Sequence, residues 1–340
     1  MTGYVEGIKI KGIRAAVPTN IVNNKELLES ATDRRLHKQI KLTGIFERRV
    51  TVGNQKASDL ASIAAEQLLT DLCWDRDSID VLVFVTQSGD LSRPASAMLI
   101  HNRLKLGQNC LAFDMNMGCA GFIGGLETVS GMLSVTKGKG LLLVGESNAV
   151  LGDDSDHNSF LDGDAAAAIA LEYVDGASPI DFAHYSDGSR ACLLYKPFDR
   201  PSYMDGNAIM FFGLSEVANT CKDYMQCQNI TDSDIDYYVF HQAQKMIIDG
   251  IVDDLQIPKE KVLISCDRYG NTSSASIPLT IVSELCGIGS GKKRIFACGF
   301  GIGLSWGISV FDINIGELKP VIESDYCYKD RECFERKDVI

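Results

Sequence analysis

An α/β fold with buried sheets follows from two features of the sequence. Short apolar runs of strand length alternate with longer runs in helical spacing. The succession of strand, helix and strand groups also occurs twice, over residues 1–172 and again over 230–314. Strands that read as unbroken apolar runs, separated by helices, belong to sheets covered on both faces.

The elements follow in chain order. The predicted strands are Val81–Val85, Leu111–Asp114, Leu141–Val144, Ala167–Leu171, Tyr238–Phe240, Val262–Ser265, Ile295–Cys298 and Ile308–Phe311. One helical run puts Ala61, Ala64, Ala65, Leu68 and Leu72 on a single face, and a second does so with Phe122, Leu126, Val129 and Leu133. A third carries Met246, Ile247, Ile251 and Leu255 and stops before Pro258, where a helix cannot continue. The stretch Asp175–Asn229, with Pro179, Pro197 and Pro201, reads as loops and a helix inserted between the halves. The expected organisation is an N-terminal half over 1–172, a C-terminal half over 173–314 and a polar tail over 315–340, docked or frayed.

Composition narrows the class. The chain has 340 residues, of which 45% are apolar and 23% charged, with 33 Lys+Arg against 45 Asp+Glu. That is globular rather than disordered. A net charge of −12 argues against a general nucleic-acid or anionic-membrane binder, although a local basic patch is compatible with it. The 11 cysteines are scattered through apolar runs without C-x-x-C spacing, so most are expected to be small buried hydrophobes in a reducing compartment. MTGYVEGIKIKGI has no apolar core of the kind a signal peptide carries, and the uncharged run between Arg294 and Asp312 is short and glycine-broken for a membrane span. A cytoplasmic protein is expected.

Four places could carry chemistry. Cys119, in Asn116-Met117-Gly118-Cys119-Ala120-Gly121-Phe122, sits where an apolar run meets a helical face. A thiol at a helix N-terminus is expected to have a lowered pKa, although a small residue in a tight turn fits the same pattern. His241 ends the Tyr237–Phe240 run, a setting that His37, His101, His157 and His184 lack. Strand C-termini in α/β sheets are where sites gather, yet a single His is also a common structural residue. Asn271 lies in the polar turn Tyr269-Gly270-Asn271-Thr272-Ser273-Ser274-Ala275-Ser276, which also suits an ordinary cap. The glycines of Gly299-Phe300-Gly301-Ile302-Gly303-Leu304-Ser305-Trp306-Gly307 alternate and precede a strand, so they are not a dinucleotide fingerprint. Such backbone can aim an N–H at an oxyanion.

Two motifs are set aside. Gly289-Ser290-Gly291-Lys292-Lys293 lacks the spacing and hydroxyl of a phosphate loop, and Asp153-Asp154-Ser155-Asp156-His157-Asn158 lacks the glycine and terminal Glu of a calcium loop. No metal-ligand set is read.

A thiol, a histidine, an amide donor and a glycine-backed turn together suit acyl-thioester chemistry. The sequence resembles β-ketoacyl-acyl carrier protein synthase III, a thiolase-fold condensing enzyme. The matching stretches are Gly118-Cys119-Ala120-Gly121-Phe122, His241-Gln242-Ala243, Gly270 through Pro278 and Leu304-Ser305-Trp306-Gly307. Thr43-Gly44-Ile45 with Glu47-Arg48-Arg49, Gly163-Asp164 and Met204-Asp205-Gly206 match as well. The likeness spans roughly residues 6–313. It implies a thiolase-like fold: two pseudo-duplicated βαβαβαββ halves in five layers, α-β-α-β-α.

The resemblance also implies the reaction. Cys119 takes an acyl group from acyl-CoA or acyl-carrier protein. His241 and Asn271 stabilise the enolate formed as malonyl-carrier protein loses CO₂, and the N–H groups of Cys119 and Gly303 hold the tetrahedral oxyanion. No permanently bound cofactor is implied. The partners implied are an acyl carrier protein and a second copy in a homodimer, with no nucleic acid and no membrane. Substrate contacts fall to Arg93, Gly206, Asn207 and Lys38, and Lys245 is the carrier-docking candidate.

Departures from the family point to a specialised acyl donor, carrier-bound or polar. The usual Trp and Arg that grip coenzyme A correspond to Lys38 and Leu42, an aromatic before Pro94 is replaced by Arg93, and His-Gln-Ala-Asn becomes His-Gln-Ala-Gln at Gln244. Two other readings are an acyltransferase passing the acyl group to an amine or alcohol, and a non-catalytic subunit of a synthase complex.

Overall fold

Alternation along single strands divides the interior into separate cores. In the strand Ile79–Val85, Val81, Val83 and Val85 enter one core while Leu82 and Phe84 enter another. In Ala165–Tyr173, Ala165, Ala167, Ile169 and Leu171 join the first core, and Ala166, Ala168 and Ala170 the second. In Lys292–Gly301, Ile295 and Ala297 face the first core while Phe296 and Cys298 face a third. A side-chain period of two in a fully buried strand demands a packed layer on each face.

The structure, a computed structural model, describes residues 1–26, 34–149, 160–198 and 202–334. One six-stranded sheet runs Ile322–Glu323, Ile8–Val17, Ala165–Tyr173, Lys139–Glu146, Ile79–Val85, Leu111–Met115. The other runs Thr2–Val5, Ile180–Ser186, Ser305–Asn314, Lys292–Gly301, Tyr237–Phe240, Val262–Leu263. From the second strand inward the two sheets share one pattern: two antiparallel pairings, then two parallel ones.

Helices Gly121–Thr136 and Ser276–Leu285 fill the space between the sheets. Ala57–Asp71 and Ser96–Leu104 cover the outer face of one sheet. Ala218–Cys227 and Lys245–Leu255 cover that of the other. These are the five layers of a thiolase-like fold. The helical faces follow the sequence pattern, with Phe122, Leu126, Val129 and Leu133 all fully buried.

Three expectations needed correction. Ile180–Ser186 is an inner strand, not part of a loop insertion. Asp181 disguises it, and that charge is met across the sheet by Arg294 at 3.1 Å. Ile8–Val17 was also hidden by its charges, which are met by the Lys11–Glu172 pair at 3.3 Å and the Arg14–Asp71 pair at 2.5 Å. Third, only Cys221, Cys266 and Cys298 of the 11 cysteines are buried, while Cys73, Cys192, Cys227 and Cys333 are exposed and all are free thiols.

Strand lengths also differ from the apolar runs. Ile295–Cys298 and Ile308–Phe311 extend to Lys292–Gly301 and Ser305–Asn314, because antiparallel pairing continues beyond the apolar segment. Of the tail, Ile322–Glu323 pairs in parallel with Ala16–Val17. Arg331 bridges Asp59 at 2.7 Å and Asp90 at 3.0 Å, and Asp330 pairs with Arg103 at 2.7 Å. The described tail is therefore docked.

Candidate active site

Cys119 lies between the strand Leu111–Met115 and the helix Gly121–Thr136. The Gly121 N–H donates to the Gly118 carbonyl at 2.7 Å, which closes the turn. A Cβ on Gly118 would stand 2.4 Å from Ile302 Cγ2 and 2.6 Å from Gln87 Oε1, so only glycine passes there. The glycine-rich turn approaches from the other side. A Cβ on Gly301 would stand 2.9 Å from Cys119 Sγ. Ser273 Oγ lies 3.7 Å from the sulfur, and the Ile302 backbone also hydrogen-bonds it.

The helix N-terminus does not produce a thiolate here. Desolvation, reinforced by Asp162 and Glu146, pushes the Cys119 thiol up to about 11, against the Ser273 and Ile302 hydrogen bonds. The expected lowering is not met, because desolvation of the thiol is the largest influence on it and acts upward. At neutral pH the thiol is protonated.

His241 follows the strand Tyr237–Phe240 and its N–H donates to the Cys298 carbonyl at 2.8 Å. It is 1% exposed. Nδ1 is 2.8 Å from Ser276 Oγ, and the Phe300 ring meets the imidazole edge-on at 5.5 Å. Desolvation pulls its pKa down to about 3, with a Ser273 backbone hydrogen bond opposing. The imidazole is therefore neutral. Gln242 is a clamp: its Oε1 accepts from Ser265 N at 2.9 Å and Cys266 N at 3.1 Å, tying this strand end to the next.

Asn271 is held on both sides of its backbone. Its N–H donates to the Leu161 carbonyl at 2.8 Å, and its carbonyl accepts from Gly163 at 3.0 Å. Its Oδ1 accepts from Ser273 N–H at 2.9 Å, which orients the amide. The neighbouring Asp164 is buried and accepts from Thr51 N and Oγ, both at 2.8 Å. Arg48 donates to the Asp162 carbonyl at 2.8 Å. The Glu47-Arg48-Arg49 and Gly163-Asp164 motifs thus brace the floor beneath Asn271.

Ser273 touches all three candidates: the sulfur of Cys119, the amide of Asn271 and the ring of His241. It has φ +50°, the left-handed region. Sequence reasoning quoted Ser273 and Ser276 only as motif members. Phe300 appears there only as a member of the glycine-rich motif, and Gln87 and Glu146 are not singled out at all. Glu146 had a signal, as the single carboxylate closing an otherwise apolar strand end.

The other candidates lie outside this cluster. Gly303 is exposed at the tip of the turn between Gly301 and Ser305. Arg93 is exposed ahead of the helix Ser96–Leu104. Gly206 and Asn207 open the helix Gly206–Phe211 and are exposed, with Asp205 capping it through Ala208 N–H at 3.0 Å. Lys38 lies on the helix Arg34–Thr43, in a recess with His37, Lys41 and Leu42. Lys245 pairs with Asp249 at 2.6 Å, and Gly44 lies against its side chain. Among the described residues no hydrogen bond or ion pair links these six residues to the Cys119–His241–Asn271 cluster. His101 and His184 have other partners, Gly107 and Glu127, and His157 with the rest of 153–158 lies outside the described residues. Among the described residues no group of three or more His, Cys, Asp or Glu could hold a metal ion.

Comparison with known proteins agrees with the geometry. The family model described as 3-oxoacyl-[acyl-carrier-protein (ACP)] synthase III matches residues 113–188, and its C-terminal counterpart matches 225–313. β-Ketoacyl-[acyl-carrier-protein] synthase III of Prochlorococcus marinus is 31% identical over 329 residues, covering 89% of this chain and 96% of the relative. That of Geobacillus kaustophilus is 31% identical over 307 residues, covering 88% and 97%. The crystal structure of 3-oxoacyl-(acyl-carrier protein) synthase from Burkholderia xenovorans superposes with a TM-score of 0.89 at 29% identity, covering 95% of this chain and 99% of that one. With its two matched sheets, its cysteine–histidine–asparagine cluster and these relatives, the chain belongs to the β-ketoacyl-[acyl-carrier-protein] synthase III family of thiolase-fold condensing enzymes.

Proposed function

We propose that the protein condenses a Cys119-bound acyl group with a malonyl-carrier protein thioester, releasing CO₂ and a β-ketoacyl thioester. The observation that carries this is the convergence of Cys119, His241 and Asn271 on Ser273, with the imidazole held neutral. Cys119 attacks the acyl thioester, and its thiol proton leaves with the departing thiol. The malonyl group then loses CO₂, and its electron pair moves onto the thioester oxygen as an enolate. His241 and Asn271 donate to that oxygen. Two neutral donors stabilise an enolate without supplying a proton that would quench it. The carbanion attacks the acyl-Cys119 carbonyl, whose oxyanion takes the N–H groups of Cys119 and Gly303. Collapse releases the Cys119 thiolate, which recovers a proton from solvent.

The carrier protein docks on the helix Arg34–Thr43 in this reading. In that helix Lys38 and Lys41 are exposed and the segment contains no acidic residue, on a chain of net charge −12. It is the better candidate than Lys245, whose charge is met by Asp249. An acidic carrier is drawn to such a patch by complementary charge. Arg93, Gly206, Asn207 and Lys38 contact the substrate. The replacement of the usual coenzyme A grip by Lys38 and Leu42 favours a carrier-bound or polar acyl donor.

The protein works as a cytoplasmic homodimer. The edge strand Leu111–Met115 has no fully buried residue, and Leu111 is exposed on it, which leaves a sheet edge for a second copy. No helix among the described residues is long and apolar enough to cross a membrane.

Intact-mass analysis tests the reading. The protein is incubated with a panel of acyl-CoA and acyl-carrier thioesters, and malonyl-carrier protein is added. Acylation at Cys119 followed by CO₂ and a β-ketoacyl product is expected. An acyl-enzyme that persists with malonyl-carrier protein and releases no CO₂ would overturn it.

A further inference from the structure

We propose that Glu146 is a positioning residue that controls how readily Cys119 reacts, acting through the 86–88 turn and through its own charge. It rests on the reading of Cys119 as nucleophile only for its consequence in catalysis. The carboxylate ends the strand Lys139–Glu146 and is 1% exposed. Oε1 accepts from Gln87 N–H at 2.8 Å, and Oε2 accepts from Ser88 Oγ at 2.7 Å and Asn148 Nδ2 at 3.5 Å. Ser88 Oγ in turn accepts from Ser147 N–H at 3.0 Å. The carboxyl is thus the anchor of the turn.

That turn forms the wall beside the nucleophile. Gln87 Oε1 occupies the space next to Gly118, and Gln87 Nε2 donates to Asn116 Oδ1 at 3.2 Å. One residue therefore separates the Glu146 carboxyl from the Gly118–Cys119 turn.

Its charge matters as well. Glu146 forms no ion pair among the described residues, and a buried carboxylate without a cation is costly to ionise. The charged groups around it are Asp164, which acts on it directly, and Asp162 and Arg48 beside Asp164. Burial, with the Asp164 charge in the same direction, raises the Glu146 carboxyl to about 7, against hydrogen bonds from Ser88, Gln87 and Thr86. Below that pH Glu146 is neutral. Above it, its negative charge opposes the thiolate form of Cys119. A charge in such a low-dielectric setting is weakly screened.

The test is the rate of Cys119 alkylation by iodoacetamide between pH 6 and 9, located by peptide mass, with Cys119 acylation measured in parallel. The proteins are the full chain, Glu146→Gln and Ser88→Ala. At pH 6 the rates of wild type and Glu146→Gln agree within about twofold. At pH 8 the Glu146→Gln thiol reacts about tenfold faster, the effect of removing one nearby like charge. Ser88→Ala loses a bond that favours the ionised carboxyl, so its profile bends at a higher pH than wild type. Superimposed profiles for wild type and Glu146→Gln, with equal thermal unfolding, overturn the proposal. Should Glu146→Gln not fold, an unmoved bend in Ser88→Ala overturns it instead. Shifted alkylation profiles with no acylation by any thioester would uphold the role of Glu146 and refute Cys119 as the acyl carrier.

Discussion

Lowering the pH should expose how strongly the fold keeps His241 uncharged. The group is 1% exposed, and burial sets its pKa at about 3 instead of 6.5. In the unfolded chain the imidazole takes up a proton as pH falls through 6.5, whereas in the folded chain it does so only near 3. The unfolded state therefore binds more protons across that window, so stability falls as pH falls. The contribution is fully present above 6.5 and is lost towards 3. Between pH 7 and 4 the difference covers about 2.5 pH units, or about 3 kcal/mol at 1.36 kcal/mol per unit. The assay is urea unfolding of the wild type and of His241→Asn at pH 7, 5.5 and 4. Asn keeps a partner for Ser276 Oγ but does not titrate. Relative to this variant, wild type should lose about 3 kcal/mol on going from pH 7 to 4. A difference that stays constant with pH, or an imidazole that titrates near 6.5 by nitrogen NMR, would refute the reasoning.

Other outcomes follow from single contacts. Gly301→Ala places a Cβ 2.9 Å from Cys119 Sγ, so acylation measured by intact mass should fall about 100-fold while circular dichroism is unchanged. Arg331→Ala removes the bridge to the wholly buried Asp59 and to Asp90, and thermal unfolding should show a loss of about 2 kcal/mol, below the usual cost of a broken buried pair because Arg103 still faces Asp59 at 3.4 Å. Lys38→Glu with Lys41→Glu should raise the KM for carrier-protein thioesters about tenfold and leave a small thioester analogue unaffected, and the effect should shrink at high salt.

Much of the site was legible because its chemistry is local. Cys119 stands between a strand and a helix in sequence as in space, and His241 ends its strand where expected. The polar turn around Asn271 was recognisable from its composition. Ionisation was not legible. The thiol was expected to be activated by the helix end, yet desolvation by groups from distant segments raises it to about 11. Nor could Ser273 be singled out, because its importance lies in touching three residues 154, 32 and 2 positions away along the chain (273 − 119, 273 − 241 and 273 − 271). The strand Ile180–Ser186 was lost for a similar reason: Asp181 looks like a loop residue until Arg294 is brought beside it.

The three site candidates came from the family resemblance that their motifs carry; the sequence by itself determined the alternation of strands and helices, the duplicated order and the apolar helical faces. Each is encoded by neighbours a few positions apart, through side-chain period and turn chemistry. Tertiary structure alone decided which charges are met, as for Asp181 and Arg331, and which are buried with no cation partner among the described residues, as for Glu146. It also decided that His241 is neutral and Cys119 protonated. Those properties depend on how much water is excluded and on which dipoles and charges from remote segments remain, and a linear pattern does not contain either quantity.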